Sequence, residues 1–545
     1  MNWIRPFIRR WPRAWYGAAY GLAVGLFLWC AAQFHVPGKG FTSLILFGGD
    51  PPRHRISELT TVDYYVYEDS RGYDGQYYAQ MAMQPRLGSL DLRAALDNLP
   101  YRARRMLFCW TAFGLGLGQP RWVLEAYALQ NAVVWLVLAW LLLRWFPPTD
   151  LNNLVRWVGT MFAWGLALSV REALMDGPSL LLIAGGVALA EQGRRWTSAC
   201  VLGVAGMGRE TNLLAGVICF PQDFRDRRET LRAVGRGLVA VAPLSLWMAW
   251  LWWFLREPNN AGTRNFAQPF AAYLDKGCEA IRDLDAIGWS SSARWSLLLL
   301  ISLGVQFLVI LLRPQWHSSW WRIGAAYALL MVVLGGAVWE GFPPAAARVL
   351  LPMTLAFNVV VPRGRWWWPA LLVLGNLSTI CTVSQWALPG YENYRLEGLA
   401  SGGPGTSRGA IAVTFDDQWY PSERSTFEYW RWSRGPAGFV IRNRGAAPVE
   451  VELDFELRAL DERTIRVTQD RVFRWVGRVG RKSVWVRLPG IILASGDTAW
   501  SFETDEPPSP PSGDRHRPAA FNLRNLVIRA ESPNGRPQTP MPPSR

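Results

Sequence analysis

The chain has 545 residues, of which 50% are hydrophobic, 18% are charged and 32 are tryptophan. Its formal net charge is +15, carried almost wholly by arginine, since Lys39, Lys276 and Lys482 are the only lysines. Apolar runs near membrane-spanning length recur up to about Trp386 and cease after Tyr391, which excludes a soluble cytosolic enzyme and equally a chain that is membrane throughout.

Near-exclusive arginine usage reflects a GC-rich genome more readily than a nucleic-acid site. The arginines cluster between apolar runs, where they orient membrane helices, so no nucleic-acid partner is implied. Cys30, Cys109, Cys200, Cys219 and Cys381 lie in apolar stretches and Cys278 in a polar one, which gives neither a disulfide framework nor a CxxC pair. His35, His54, His317 and His516 are too dispersed for a histidine-rich metal site.

In chain order, the run Ala14 to Phe34 follows Arg5, Arg9, Arg10 and Arg13 and is too long and aromatic for a cleaved leader, so it predicts a retained signal anchor with a cytoplasmic N-terminus. Further runs begin near Trp122, Leu154, Pro178, Thr197, Leu213, Gly237, Trp295, Trp321, Ala345 and Trp366, a pattern of roughly eleven crossings. The intervening arginine clusters, from Arg144 and Arg156 through Arg225 to Arg236 and on to Arg363 and Arg365, all fall on the cytoplasmic side if Met106 to Gly118 does not cross. Residues 35–118 then form an outer loop that ends in a helix lying in, or re-entering, the outer interface. Thr197 to Gly208 and Leu213 to Phe220 are each too short to span hydrocarbon, and their polar junction Arg209-Glu210-Thr211 predicts a cavity between helices.

Beyond the last run the pattern changes to alternation, as in Val449-Glu450-Val451-Glu452-Leu453-Asp454-Phe455, which predicts an exported antiparallel β-sandwich over 391–531. Trp430 and Trp432 share one face of it; buried core is the preferred use, a carbohydrate-binding surface the alternative. Residues 532–545, rich in proline, read as a disordered tail. The expected fold is therefore an α-helical polytopic membrane domain, residues 1–390, followed by that β-sandwich.

The densest polar-aromatic cluster runs from Asp63 to Tyr78 and carries Asp63, Glu68, Asp69 and Asp74 among six tyrosines. Rings stack on sugar faces and carboxylates accept hydroxyl protons, which suits a sugar site. An interfacial aromatic belt is the plain alternative. Asp74 before glycine is equally a turn residue, Asp176 before Gly-Pro a helix cap, and Arg209-Glu210 a structural ion pair. An ionisable pair between short membrane helices is nonetheless a functional candidate by default.

Tyr73-Asp74-Gly75-Gln76-Tyr77-Tyr78 followed by Pro100-Tyr101-Arg102-Ala103-Arg104-Arg105 resembles the signature of bacterial multi-spanning GT-C superfamily glycosyltransferases. The resemblance continues in Met175-Asp176-Gly177-Pro178, Arg209-Glu210-Thr211-Asn212-Leu213-Leu214 and Arg348-Val349-Leu350-Leu351-Pro352, and so covers most of residues 1–386. Met106-Leu107-Phe108-Cys109 departs from the family's usual continuation. The resemblance implies a transferase that takes sugar from a polyprenyl-phosphate-linked donor to a cell-envelope glycan or lipid acceptor, in the bacterial inner membrane among its lipids. It implies Asp74 as general base, with Asp63, Glu68 and Asp69 in reserve, and Tyr73, Gln76, Tyr77, Asp176 and Glu210 around the substrate. Arg209, Arg348, Arg102 and Arg105 would bind the donor phosphate; headgroup binding and snorkelling are the plain alternatives for Arg102, Arg105 and Arg348. No cofactor is expected, and no acidic spacing demands a divalent cation. Two other functions compete: a transporter or flippase for lipid-linked saccharides, which calls for internal repeats that are not evident here, and a non-catalytic envelope scaffold that binds through the β-domain.

Overall fold

The computed structural model describes residues 12–48, 54–67, 70–221, 225–256, 263–287, 291–340, 345–363, 368–386, 394–397, 411–420, 423–424, 429–510 and 518–530. The chain divides into two compact units, one of Met1–Phe34, Leu44–Asp50 and Val66–Leu388, the other of His35–Ser43, Pro51–Tyr65 and Pro389–Arg545.

The first unit is helical. Among the described residues four helices are long and apolar enough to cross a membrane: Ala14–Ala32, Pro120–Arg144, Arg227–Leu255 and Ala293–Leu312. A helix of about 20 residues rises about 30 Å, the thickness of the hydrocarbon layer. Leu22, Leu238, Leu246 and Leu311 stand exposed on these helices, where a lipid layer and not water suits them, and together these features mark a membrane protein.

Shorter helices fill the spaces between. We label α1 Pro12–Ala32, α2 Gly75–Met83, α3 Leu107–Leu115, α4 Pro120–Leu141, α5 Leu151–Met161, α6 Trp164–Arg171, α7 Asp176–Glu191 and α8 Arg195–Gly208. A 3-10 segment, Glu210–Cys219, follows α8, and α9 Arg227–Leu255 follows that. With nine residues α3 rises about 14 Å, too little to cross. The polar junction Arg209 to Thr211 lies where α8 gives way to the 3-10 segment.

Tryptophan dominates the core of this unit, with Trp135, Trp157, Trp164, Trp320 and Trp339 fully buried. Phe27 of α1 stacks on Trp135 of α4 with ring centroids 3.8 Å apart. Buried indoles need acceptors, and two find carbonyls freed at helix ends or facing helices: Trp135 Nε1 donates to Met161 O at 2.8 Å and Trp157 Nε1 to Ala139 O at 3.0 Å. Asn358 and Asn376 exchange amide hydrogen bonds of 3.0 and 2.9 Å, joining two apolar segments by a satisfied polar pair.

The second unit is β-rich and forms two sheets. With β1 Arg395–Glu397, β2 Ile411–Phe415, β3 Glu423–Arg424, β4 Tyr429–Trp432, β5 Ala437–Asn443, β6 Val449–Ala459, β7 Arg463–Gln469, β8 Val472–Val479, β9 Val484–Leu493, β10 Gly496–Glu503 and β11 Phe521–Ala530, the orders are β3-β4-β11-β6-β9, with β1 parallel to β11, and β2-β5-β10-β7-β8. Period-2 alternation places Val451, Leu453, Phe455 and Leu457 of β6 in one core with Phe439, Ile465, Val467, Trp500 and Phe502 of the other sheet.

One expectation is corrected here. Trp430 and Trp432 share a face, but not the buried one: they are opposite Arg524 and Asn522 of β11, whereas the core residue Leu523 is opposite Arg431. Both indoles are half-buried, and Arg524 lies 5.2 Å from the Trp430 ring centroid. The sheet's other face is polar, so the pair packs on charged and amide side chains. The proline-rich stretch 532–545 lies outside the described residues.

Candidate functional site

Within the helical unit, charged side chains from four distant stretches of chain meet. The turn before α2 supplies Tyr73 and Asp74, and α2 itself can lie close to the turn after α6 only because residue 75 is glycine. A Cβ there would sit 2.2 Å from the Glu172 carbonyl oxygen. A second close approach sets Arg348: a Cβ on Gly165 of α6 would come within 2.0 Å of the Ala347 carbonyl oxygen, so glycine lets α6 press on the short helix Ala346–Val349. Pro100 at the start of the helix Leu99–Arg102, capped by the Asn98 side chain, presents Arg102 from its last turn.

These elements carry a chain of ion pairs. Arg102 Nη1 lies 2.9 Å from Asp74 Oδ1, and the rest of its guanidinium forks onto Asp97 at 3.0 and 2.7 Å. Against the raising effect of burial, that fork holds Asp97 below the usual carboxylate range. Tyr77 and Tyr78 cover Arg102, with ring centroids 4.8 and 5.6 Å from its guanidinium carbon. Arg105 pairs with Glu210 at 2.9 Å and donates to the hydroxyls of Tyr78 and Tyr101 at 3.2 and 3.3 Å.

Asp176, the first residue of α7, receives two cations. Arg209 pairs with its Oδ1 and Arg348 with its Oδ2 at 3.1 Å, while Arg348 also donates to the Tyr73 hydroxyl at 2.8 Å. Asp176 therefore makes no side-chain cap on its own helix; its carboxylate is spent on arginine. Arg209 and Glu210, adjacent in sequence, face different partners. The paired network holds Arg102, Arg105, Arg209 and Arg348 against Asp74, Asp97, Asp176 and Glu210, four charges against four, and so is neutral.

Several polar atoms here have no hydrogen-bond partner among the described residues although they are buried: Nε of Arg104, Arg209 and Arg348, Oγ of Ser179 and Oγ1 of Thr211. Buried donors are rarely left so, and a cluster of them suits a ligand or water that would accept from them. Asp74, with 31% of its side chain exposed, and Asp97, with 40%, are both open to an incoming molecule, while Arg102 between them is only 8% exposed. Among the described residues no group of three or more His, Cys, Asp or Glu side chains is arranged to hold a metal ion.

No family model matches the chain, and no curated protein matches it.

The sequence candidates distribute unevenly. Tyr73, Asp74, Arg102, Asp176, Arg209 and Arg348 share this network, as do Arg105 and Glu210. Gln76 is buried and engaged with backbone, accepting from the Gly48 N–H at 3.3 Å and donating to the Arg71 carbonyl at 3.2 Å, so it holds the loop. Tyr77 is buried beneath Arg102. Asp63 belongs to the other unit, and Asp69 and Glu68 lie outside the described residues.

Two contributors escaped the sequence reading, Asp97 and, most of all, Glu172, while Tyr78 and Tyr101 stood in its motifs without a role of their own. Glu172 ends the stretch Trp164 to Arg171 in a turn where Ala173 adopts the left-handed conformation, φ 47°, and where Tyr127 donates to the Ala173 carbonyl at 2.8 Å. Burial, with a lesser push from Asp74, raises its carboxyl to about 7 in spite of Arg348 and Arg171. An acid closing an apolar run was its only signal in the sequence. Burial likewise raises the Tyr73 phenol, with Arg348 opposing.

Proposed function

We propose that the protein is a membrane glycosyltransferase of the GT-C kind, moving a sugar from a polyprenyl-phosphate-linked donor to a glycan or lipid acceptor on the outer face of a bacterial inner membrane. The observation that carries the reading is a partly exposed carboxylate, Asp74, held by Arg102 in the same cluster as two buried arginines, Arg209 and Arg348, whose Nε donors are unused. Glycosyl transfer from a lipid phosphate asks for both parts. The acceptor hydroxyl loses its proton to a base as its oxygen bonds to the anomeric carbon. The bond from that carbon to the phosphate oxygen breaks, and the phosphate keeps the electron pair.

In this reading Asp74 takes the proton, held in place through Arg102, and Arg209 and Arg348 receive the leaving phosphate. The chain crosses the membrane roughly eleven times from a cytoplasmic N-terminus, with short helices meeting at the Arg209 junction. The two C-terminal sheets form an exported sandwich. Asp74→Asn keeps the shape and the Arg102 contact but removes the basic oxygen, and should slow sugar transfer from a polyprenyl-phosphate sugar by ~100-fold to ~10,000-fold. Turnover close to wild type in a folded Asp74→Asn protein would sink the assignment of Asp74.

A further inference from the structure

Every other carboxylate in the cluster meets a guanidinium. Glu172 does not: its Oε2 is buried and has no hydrogen-bond partner among the described residues. Its backbone touches the α2 entrance at Gly75, one residue from Asp74. The charged and titratable groups facing it are Arg171 from its own helix, Arg348 from the helix Ala346–Val349, and Tyr73 and Asp74 from the loop before α2. Arg171 is already engaged, donating to the Tyr67 hydroxyl at 2.9 Å and lying over the Phe34 ring.

Because the four-against-four network is itself neutral, the charge state of Glu172 changes the net charge beside Arg348 by one unit. An ionised Glu172 draws on the same guanidinium whose Nε is free to donate elsewhere. A protonated one leaves that cation to an incoming anion. We infer that Glu172 is a positioning residue that couples anion binding in this site to protonation: its neutral form admits the phosphodiester of a lipid-linked sugar and its ionised form opposes it. This rests on the donor-phosphate reading given above. The titration falls near neutrality because burial lifts the carboxyl to about 7.

The test uses the full-length protein in detergent and methyl farnesyl phosphate, a phosphodiester whose single charge does not change over the working range. Its affinity is measured by calorimetry between about pH 6 and about pH 8.5, for wild type and Glu172→Gln, and should weaken about tenfold with rising pH in wild type and stay level in the variant. Infrared difference spectra of the ligand-free protein give an independent readout. The carbonyl stretch of a protonated carboxyl should bleach across neutrality in wild type and be missing from Glu172→Gln. Equal slopes in the two proteins, or a wild-type spectrum with no such band, would overturn the coupling. Absence of phosphodiester binding at every pH in both proteins, with the band still titrating, would instead overturn the donor-phosphate reading, and the coupling would fall with it.

Discussion

Replacing Asp176 with alanine strikes the most heavily shared group in the site. Its side chain is 3% exposed, and it neutralises Arg348, 6% exposed, and Arg209, 15% exposed. Removing one member of a buried pair leaves an uncompensated charge and costs about 3 to 5 kcal/mol; two arginines lose their counter-ion here, and among the described residues Arg348 retains only the Tyr73 hydroxyl as a hydrogen-bond partner. Asp176→Ala should therefore lower stability by about 4 kcal/mol or more. Arg144→Ala is the contrasting case: that pair with Glu191 is 37% and 31% exposed, screened by solvent, and its loss should cost about 1 kcal/mol or less. Equilibrium unfolding in a fixed mild detergent, followed by tryptophan fluorescence, compares the two. If the cost comes from stranded charge, Asp176→Leu combined with Arg209→Met and Arg348→Met should recover most of it. A loss under about 1 kcal/mol in Asp176→Ala, or a triple variant no better than the single, would refute the reasoning.

Glu172 should show the opposite sign. Its carboxyl stands at about 7 in the folded protein against 4.5 ordinarily, so the native state binds the proton more tightly and wild-type stability falls as pH rises between those values. Glu172→Gln should gain up to about 3 kcal/mol over wild type near pH 8 and nothing near pH 4; a gain that does not vary with pH would count against this. Gly75→Ala forces a methyl into the Glu172 carbonyl, so backbone must move; a loss of about 1 to 3 kcal/mol is expected in the same unfolding assay, and an unchanged midpoint would mean the two segments do not touch. For orientation, single cysteines replacing Ser70, Thr230 and Ser495 in intact cells should react with an impermeant maleimide at Ser70 and Ser495 and not at Thr230. Labelling at Thr230 alone would invert the topology.

The four long apolar helices and the alternating strands were legible because hydrophobic burial writes a period into the sequence that neighbouring residues repeat. In β6 the inward Val451, Leu453, Phe455 and Leu457 follow that period without a break. The Arg209-Glu210-Thr211 junction was legible too, since charge between two short apolar runs is costly unless it is met. Its pairing was not. Arg209 reaches Asp176, 33 residues away, and Glu210 reaches Arg105, 105 residues away, and no local pattern encodes which way each side chain turns. Glu172 was invisible for a related reason, since a lone acid at the end of a helix looks like any solvated end until its burial is known; Asp97 is itself exposed, and only its fork with Arg102 marks it. Trp430 and Trp432 misled because size suggested core, whereas the register puts Leu523 and not the indoles on the inner face.

The order of synthesis gives the Asp176 triad a schedule. Arg209 leaves the ribosome soon after Asp176, but Arg348 follows Asp176 by 172 residues, a delay on the order of 10 to 30 seconds at ordinary elongation rates. Until then Asp176 faces one arginine instead of two, Tyr73 lacks its cationic partner, and the turn holding Asp74 is not yet clamped from this side. The site is thus completed by nearly the last helix of its unit to be made. A chain interrupted before Ala346 would set the four carboxylates Asp74, Asp97, Asp176 and Glu210 against only three guanidinium groups, those of Arg102, Arg105 and Arg209, and so present a half-built cluster with one charge unmet.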